Sequence, residues 1–267
     1  MRITTLLLTS LLLCSTAGAD LIVPQTFAPR VLVPAAGSAA GQNGTFFRSD
    51  IHVVNVRGLS QRILMYWLPQ GRSGVPIAPR AIELPSANGF ASEDFVASVL
   101  LQQGIGAIEF VGVTAEGEPD PNARLHVTSR IWTPRPDGAI GTLSQTFPAL
   151  VMPGSTARVK TVLGMPRSEQ YRLNVGVANP TQTLHRFRVT TRIITATNSE
   201  VETFEFDVQP RSIEQRNIVM DLEGSSQVHI ENLSGMTTDW QAWVSSIDNE
   251  SGDAWSQIAF PFPPGLQ

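Results

Sequence analysis

The sequence predicts an all-β protein made of two tandem antiparallel β-sandwich domains, and three observations carry that prediction. Apolar and polar residues alternate at period two. In the segment around Tyr171, for example, Leu173, Val175 and Val177 alternate with Arg172, Asn174 and Gly176, which puts one apolar row against a core and a mixed row on the opposite face of a strand. Turn-forming pairs such as Asp137-Gly138, Asn179-Pro180 and Ser251-Gly252 punctuate such segments about every 8 to 12 residues, the spacing of a sandwich or barrel. Finally, the first half is echoed in the second.

The chain opens with Arg2 and an apolar run from Leu6 to Cys14, followed by Ala17, Gly18 and Ala19. This is the pattern of a secretory leader, residues 1–19, with cleavage expected after Ala19. Its apolar run falls short of the roughly 20 residues that span a bilayer. Lipoprotein processing at Cys14 is disfavoured because Leu13, not a small residue, precedes it. The expected setting is secreted, periplasmic or cell-surface. Cys14 is the single cysteine, so the processed chain stands on packing without disulfides. No later segment is long and apolar enough for a transmembrane helix.

Without the leader, 18 basic residues face 23 acidic ones, a net charge of −5. Lys160 is the only lysine and the arginines are scattered. Nucleic acid, which needs clustered positive charge, is therefore a poor partner.

The internal echo is clearest where Phe47-Arg48-Ser49-Asp50-Ile51-His52-Val53-Val54-Asn55 lines up with Tyr171-Arg172-Leu173-Asn174-Val175-Gly176-Val177-Ala178-Asn179, 124 positions further on. Four shorter matches follow the same order. Leu32-Val33-Pro34 pairs with Leu150-Val151-Met152-Pro153, and Leu84-Pro85 with Gln209-Pro210. Ala107-Ile108-Glu109-Phe110 pairs with Gln227-Val228-His229-Ile230, and Ser144 to Pro148 with Ser256 to Pro261. Two domains follow, residues 31–149 and 150–267, joined with almost no linker. One short helix is expected in the first, over residues 92–102, where Ser92 can cap and Phe95, Val96, Val99 and Leu100 share a face.

The shared aromatic-Arg-x-[Asp/Asn]-x-x-x-x-Asn pattern and the closing Asp248-Asn249-Glu250-Ser251-Gly252-Asp253 resemble tandem immunoglobulin-like repeats of secreted bacterial proteins, over nearly the whole processed chain. The resemblance implies a fold and an extracytoplasmic setting. It implies no activity, because such sandwiches host many unrelated functions.

Residues present in both halves are expected to maintain the fold. Arg48 with Asp50, and Arg172 with Asn174, lie two apart on one strand face and are expected to brace a neighbouring loop. Asn55 and Asn179 end their strands and are expected to bond the following turn. No Gly-x-Ser-x-Gly, Ser-x-x-Lys or close His pair occurs, so no catalytic residue is assigned and no cofactor is implied. Asp248, Glu250 and Asp253 crowd oxygen ligands into one turn, a weak calcium candidate beside the plainer expectation of a solvated hairpin tip. Trp240 and Trp243 are three apart in an expected strand, hence on opposite faces. One of them is expected to be exposed and to grip a ligand. The leading expectation is a non-catalytic binding or structural protein whose partner is a protein or glycan of the cell envelope. A carbohydrate-binding module is the first alternative and a secreted hydrolase the second.

Overall fold

The computed structural model describes residues 27–41, 44–135, 138, 140–154, 157–235 and 239–261. The leader with Cys14 and Ala19, the turn residue Asp137 and residues 262–267 lie outside the described residues.

The first half contains β1 (Arg30–Ala40), β2 (Phe46–Asn55), β3 (Gln61–Pro69), β4 (Arg80–Leu84), β5 (Asn88–Ser92), α1 (Phe95–Ser98), β6 (Gly104–Val113), β7 (Leu125–Pro134), β8 (Thr142–Pro148) and β9 (Leu150–Val151). The second contains β10 (Val159–Arg167), β11 (Tyr171–Asn179), β12 (His185–Ile194), β13 (Ser199–Val208), β14 (Ser212–Ile218), β15 (Gly224–Asn232), β16 (Gln241–Asp248), β17 (Ala254–Ile258) and β18 (Phe260–Pro261). The protein is all-β, and every pairing of these strands is antiparallel. Among the described residues no helix is long and apolar enough to cross a membrane.

One layer of the first half runs β4-β3-β6-β1-β9 and the other β5-β2-β7-β8. The second half has β13-β12-β15-β10-β18 and β14-β11-β16-β17, the same order strand for strand. In the first half the layers are continuous, because the hairpin between β1 and β2 pairs Ala39 with Phe47 and Ala40 with Phe46. Each half has its own core. Ile51, Val53, Ile63, Met65, Ile108 and Phe110 belong to the first; Leu173, Val175, Val177, Val189, Val228 and Trp240 belong to the second. These are the inward rows of the alternating strands, and removing them from water is the main term favouring each sandwich.

Four expectations about the course of the chain need correction, one being the match of Ser144–Pro148 with Ser256–Pro261, since Phe147 and Pro148 pair with β7 whereas Phe260–Pro261 pairs with β10. The helix expected over residues 92–102 is the single turn Phe95–Ser98, with Ser92 ending β5. Asp94 enters it at φ 47° and Leu101 leaves the segment at φ 55°. Both left-handed residues bend the chain so that Phe95, Val96 and Leu100 are buried, and the bends at either end leave no room for a longer helix. The domain boundary at 149/150 falls one strand early. Leu150 and Val151 form β9, which pairs with Leu32 and Val31 of β1 inside the first sandwich. Leu150-Val151 therefore occupies the place of Phe260–Pro261, which pairs with β10, and not the place of Leu32-Val33. The Leu84-Pro85 match also slips by one residue, as the hydrogen bonds of Asn55 and Asn179 make plain below.

Candidate functional site

Both faces of several strands are buried, because the two sandwiches pack on one another. A third apolar cluster joins Leu32, Leu68, Ala107 and Phe147 of the first half to Ala178, Ile213 and Trp243 of the second. On β6, Ile108 and Phe110 point into the first core while Ala107 and Glu109 point toward the second half. Glu109 is 1% exposed. It is held by Arg30 at 2.5 Å and by Arg211 at 3.0 Å, and Arg30 also reaches Asp239 at 2.5 Å. Burial works to lower the pKa of Arg30, but Glu109 and Asp239 outweigh it and leave the guanidinium above its ordinary value. Arg211 lies over the Tyr66 ring at 4.1 Å. Backbone bonds cross as well: Gly71 N–H donates to the Ile213 carbonyl at 3.0 Å, and Ser212 Oγ donates to the Pro69 carbonyl at 2.7 Å. A buried carboxylate held by two cations satisfies the condition under which such a group is tolerated inside a protein.

Where this interface opens, a cavity of about 330 Å3 lies between the halves, at the lower end of the range for small-ligand pockets. The inward row of β7 leads to it: Leu125 and Val127 belong to the first core, whereas Ile131 packs on the interface cluster and Ile131 and Thr133 line the cavity. Ala35, Ala36, Phe47 and Phe147 complete an apolar wall from the first half. The second half supplies a polar wall, because Arg172 and Asn174 of β11, Gln215 of β14 and Ser245 of β16 all face it. Their strands place them together: Asn174 pairs with Ser245, and Gly176, one step along the same row, pairs with Gln215. Arg172 Nη1 donates to Asn249 Oδ1 at 2.7 Å. A short hydrogen-bonded chain, Gln145 to Ser256 to Ser245, links the edge strands β8 and β17 beside the opening.

The bracing role expected of this pair holds for Arg172, whose bond to Asn249 ties β11 to the turn after β16, but not for Asn174. Both line the cavity, and the side chains of Asn174 and Gln215 have no hydrogen-bond partner among the described residues. Their counterparts do different work. Arg48 lies over the rings of Phe46 and Trp132 at 5.0 and 5.5 Å and is 3.8 Å from Asp94, while Asp50 accepts a 2.7 Å bond from Trp132 Nε1. Arg48 and Asp50 together steady the Trp132 indole, and Arg48 also reaches Asp94 in the loop after β5.

Asn55 and Asn179 have equivalent surroundings in detail. Asn55 Nδ2 donates to the carbonyls of Leu59, Leu84 and Pro85, and its Oδ1 accepts from Arg57 N. Asn179 Nδ2 donates to Thr183, Val208 and Gln209, and its Oδ1 accepts from Thr181 N. Leu84 thus corresponds to Val208 and Pro85 to Gln209, at the same shift of 124 positions. Each amide ties its strand end both to the turn that follows and to a distant loop.

No exposed tryptophan stands at 240 or 243. Trp240 is 0% and Trp243 1% exposed. They do point to opposite faces, but Trp240 fills the second core against Phe187 while Trp243 faces Phe147 across the interface. The face taken for solvent is covered by the first sandwich. Trp255, on edge strand β17, is 52% exposed. The calcium candidates also separate. Asp248 Oδ1 accepts the backbone N–H groups of Glu250 and Ser251 at 2.8 Å, and Asp253 Oδ1 accepts that of Ala254 at 3.0 Å. The bond from Ser251, then that from Gln170, holds the Asp248 carboxyl below its usual range. These oxygens close a turn, and among the described residues no three His, Cys, Asp or Glu side chains gather for a metal.

Sequence reasoning missed the cavity and the charge cluster at Glu109. A signal for the second existed, since Glu109 interrupts the apolar segment Ile105 to Val113. Compared with models of known protein families the chain matches none, and it matches no curated protein sequence.

Proposed function

We propose that the chain is a non-catalytic, extracytoplasmic binding or structural protein in which two copies of one immunoglobulin-like sandwich act as a single rigid body, with ligand contacts made at the opening between them. The interface carries this proposal: an apolar cluster and the Glu109 charge cluster bury the facing sheets, whereas loosely tethered domains meet through smaller, more polar surfaces. The matching strand order and the matching Asn55 and Asn179 networks support descent of both halves from one unit. Secretion rests on the leader pattern, and a protein or glycan of the cell envelope remains the expected partner.

Hydrolysis is less well supported. A glycosidase uses two carboxylates about 5 to 9.5 Å apart, and Glu250 is the single carboxylate among the described residues lining the cavity. The carbohydrate-binding alternative now rests on Trp255. To test the proposal, purified residues 20–267 are assayed for retention on isolated envelope fragments and for turnover of chromogenic glycosides and esters. Saturable retention without turnover is expected. Turnover that vanishes in Glu250→Gln contradicts the proposal, and glycan retention lost in Trp255→Ala moves it to the carbohydrate-binding alternative.

A further inference from the structure

We propose that the interdomain cavity binds a small carboxylic acid with an apolar body, its carboxylate held by Arg172. This rests on the binding function proposed above and names the ligand class of that site.

The two walls differ in chemistry. The first half contributes the apolar groups of Ala36, Ile131 and Phe147, and the second half contributes Arg172, Asn174 and Gln215. An occupant satisfying both has an apolar body and a polar end.

The polar wall is rich in donors. Arg172 is the only cation among the described residues lining the cavity, and its bond in the structure is to the neutral Asn249 amide oxygen. A guanidinium presents several N–H groups in a planar fork, so the bond to Asn249 leaves others for a carboxylate, to which the fork is matched. Asn174 lies on the same strand face two residues on, and each of the Asn174 and Gln215 amides has N–H groups to spare for a second oxygen.

A neutral sugar is the poorer fit. The amide oxygens of Asn174 and Gln215 could accept from its hydroxyls, but it would leave the Arg172 charge without a counter-charge, since the one carboxylate among the described lining residues, Glu250, is exposed on the turn after β16. An amine fits worse, since it would face Arg172 directly. Charge-assisted bonds to a carboxylate are about twice as strong as neutral ones, so Arg172 should discriminate an acid from its amide.

The test is calorimetric titration of residues 20–267 with octanoate, octanamide and octylamine. Octanoate is expected to bind at least tenfold more tightly than octanamide, with no heat from octylamine. Arg172→Gln should bring octanoate down to the level of octanamide. Ala40→Trp, an exposed rim position of β1 that lines the cavity, should abolish both. Near-ultraviolet circular dichroism and melting curves establish that each variant is folded, and either variant alone suffices for the comparison. Equal binding of acid and amide overturns the proposal, as does octanoate affinity unchanged in Arg172→Gln or Ala40→Trp. Silence of the folded wild type toward all three probes also overturns it. In that case continued retention on envelope fragments leaves the broader binding function standing, and loss of retention as well removes both.

Discussion

Asn55 and Asn179 show what single residues contribute. Each is fully buried, and its amide donates to three carbonyls and accepts one N–H. Removing it strands several buried backbone groups, each loss costing about 1 kcal/mol or more. Asn55→Ala and Asn179→Ala are each expected to destabilise by about 2 to 4 kcal/mol in urea unfolding, and a cost below about 1 kcal/mol would show that the networks do not clamp the loops. Lys160 is the second case. It is 1% exposed, its Nζ donates to the Trp240 carbonyl and to Gln241 Oε1, and it sits 4.4 Å from the Trp240 ring centroid. Burial pushes its pKa down to about 8, with Asp239 pulling the other way. An unfolded lysine titrates near 10.4, so between about pH 8 and 10 the unfolded chain keeps a proton that the native chain has released. Stability should therefore rise with pH through that window, and below it the cost of the buried charge is constant, so this group adds no pH dependence there. Lys160→Met should lose the rise in urea midpoints, and an identical pH profile in the variant would contradict the assignment. The role of the asparagines was legible from their place at strand ends. The burial of Lys160 was not, because a lone lysine carries no mark of its depth in a sequence.

At the scale of elements, the strands were legible from period two, but their two faces were not assigned to the right surroundings. The row Arg172, Asn174, Gly176 and Ala178 looks like a solvent face, yet it meets the first sandwich. Gly176 shows the consequence: a Cβ there would lie 2.2 Å from two ring atoms of Trp243, its cross-strand partner. Gly176→Val is expected to displace the indole, cost about 2 kcal/mol or more and shift tryptophan emission to longer wavelength. In Trp243→Ala the same substitution should cost much less, and full additivity of the two would show that the residues do not share this space. The turn from Asp248 to Asp253 had the right residues for calcium, but one oxygen each of Asp248 and Asp253 accepts the turn's own backbone N–H groups and the second of Asp248 accepts from Gln170. Millimolar calcium is expected to leave the melting temperature unchanged, and a clear rise would contradict that assignment. The short helix was half legible. Its apolar residues were identified; of the two left-handed residues that shorten it, Asp94 is a type that tolerates that conformation, whereas nothing in the residue type of Leu101 marks it.

At the scale of the molecule, the echo read from the sequence paired segments such as Ile108 with Phe110 and Val228 with Ile230, which lie on β6 and β15, strands that hold the same place in the order of their sheets. It could not locate β9, whose two residues belong by sequence order to the junction and by pairing to the first sheet. Nor could it locate the cavity, whose walls come from residues more than 100 positions apart, such as Ala36 and Arg172. The central claim is that the two sandwiches are one mechanical unit, held by the apolar cluster around Leu32 and Trp243 and by Glu109 between Arg30 and Arg211. Glu109→Ala leaves two arginines at the interface without their shared carboxylate, a loss expected to cost about 3 to 5 kcal/mol. The most direct test is scanning calorimetry of residues 20–267 beside that variant. A single cooperative transition in the wild type, resolved into two in Glu109→Ala, is the predicted result. Two separate transitions already present in the wild type would contradict it.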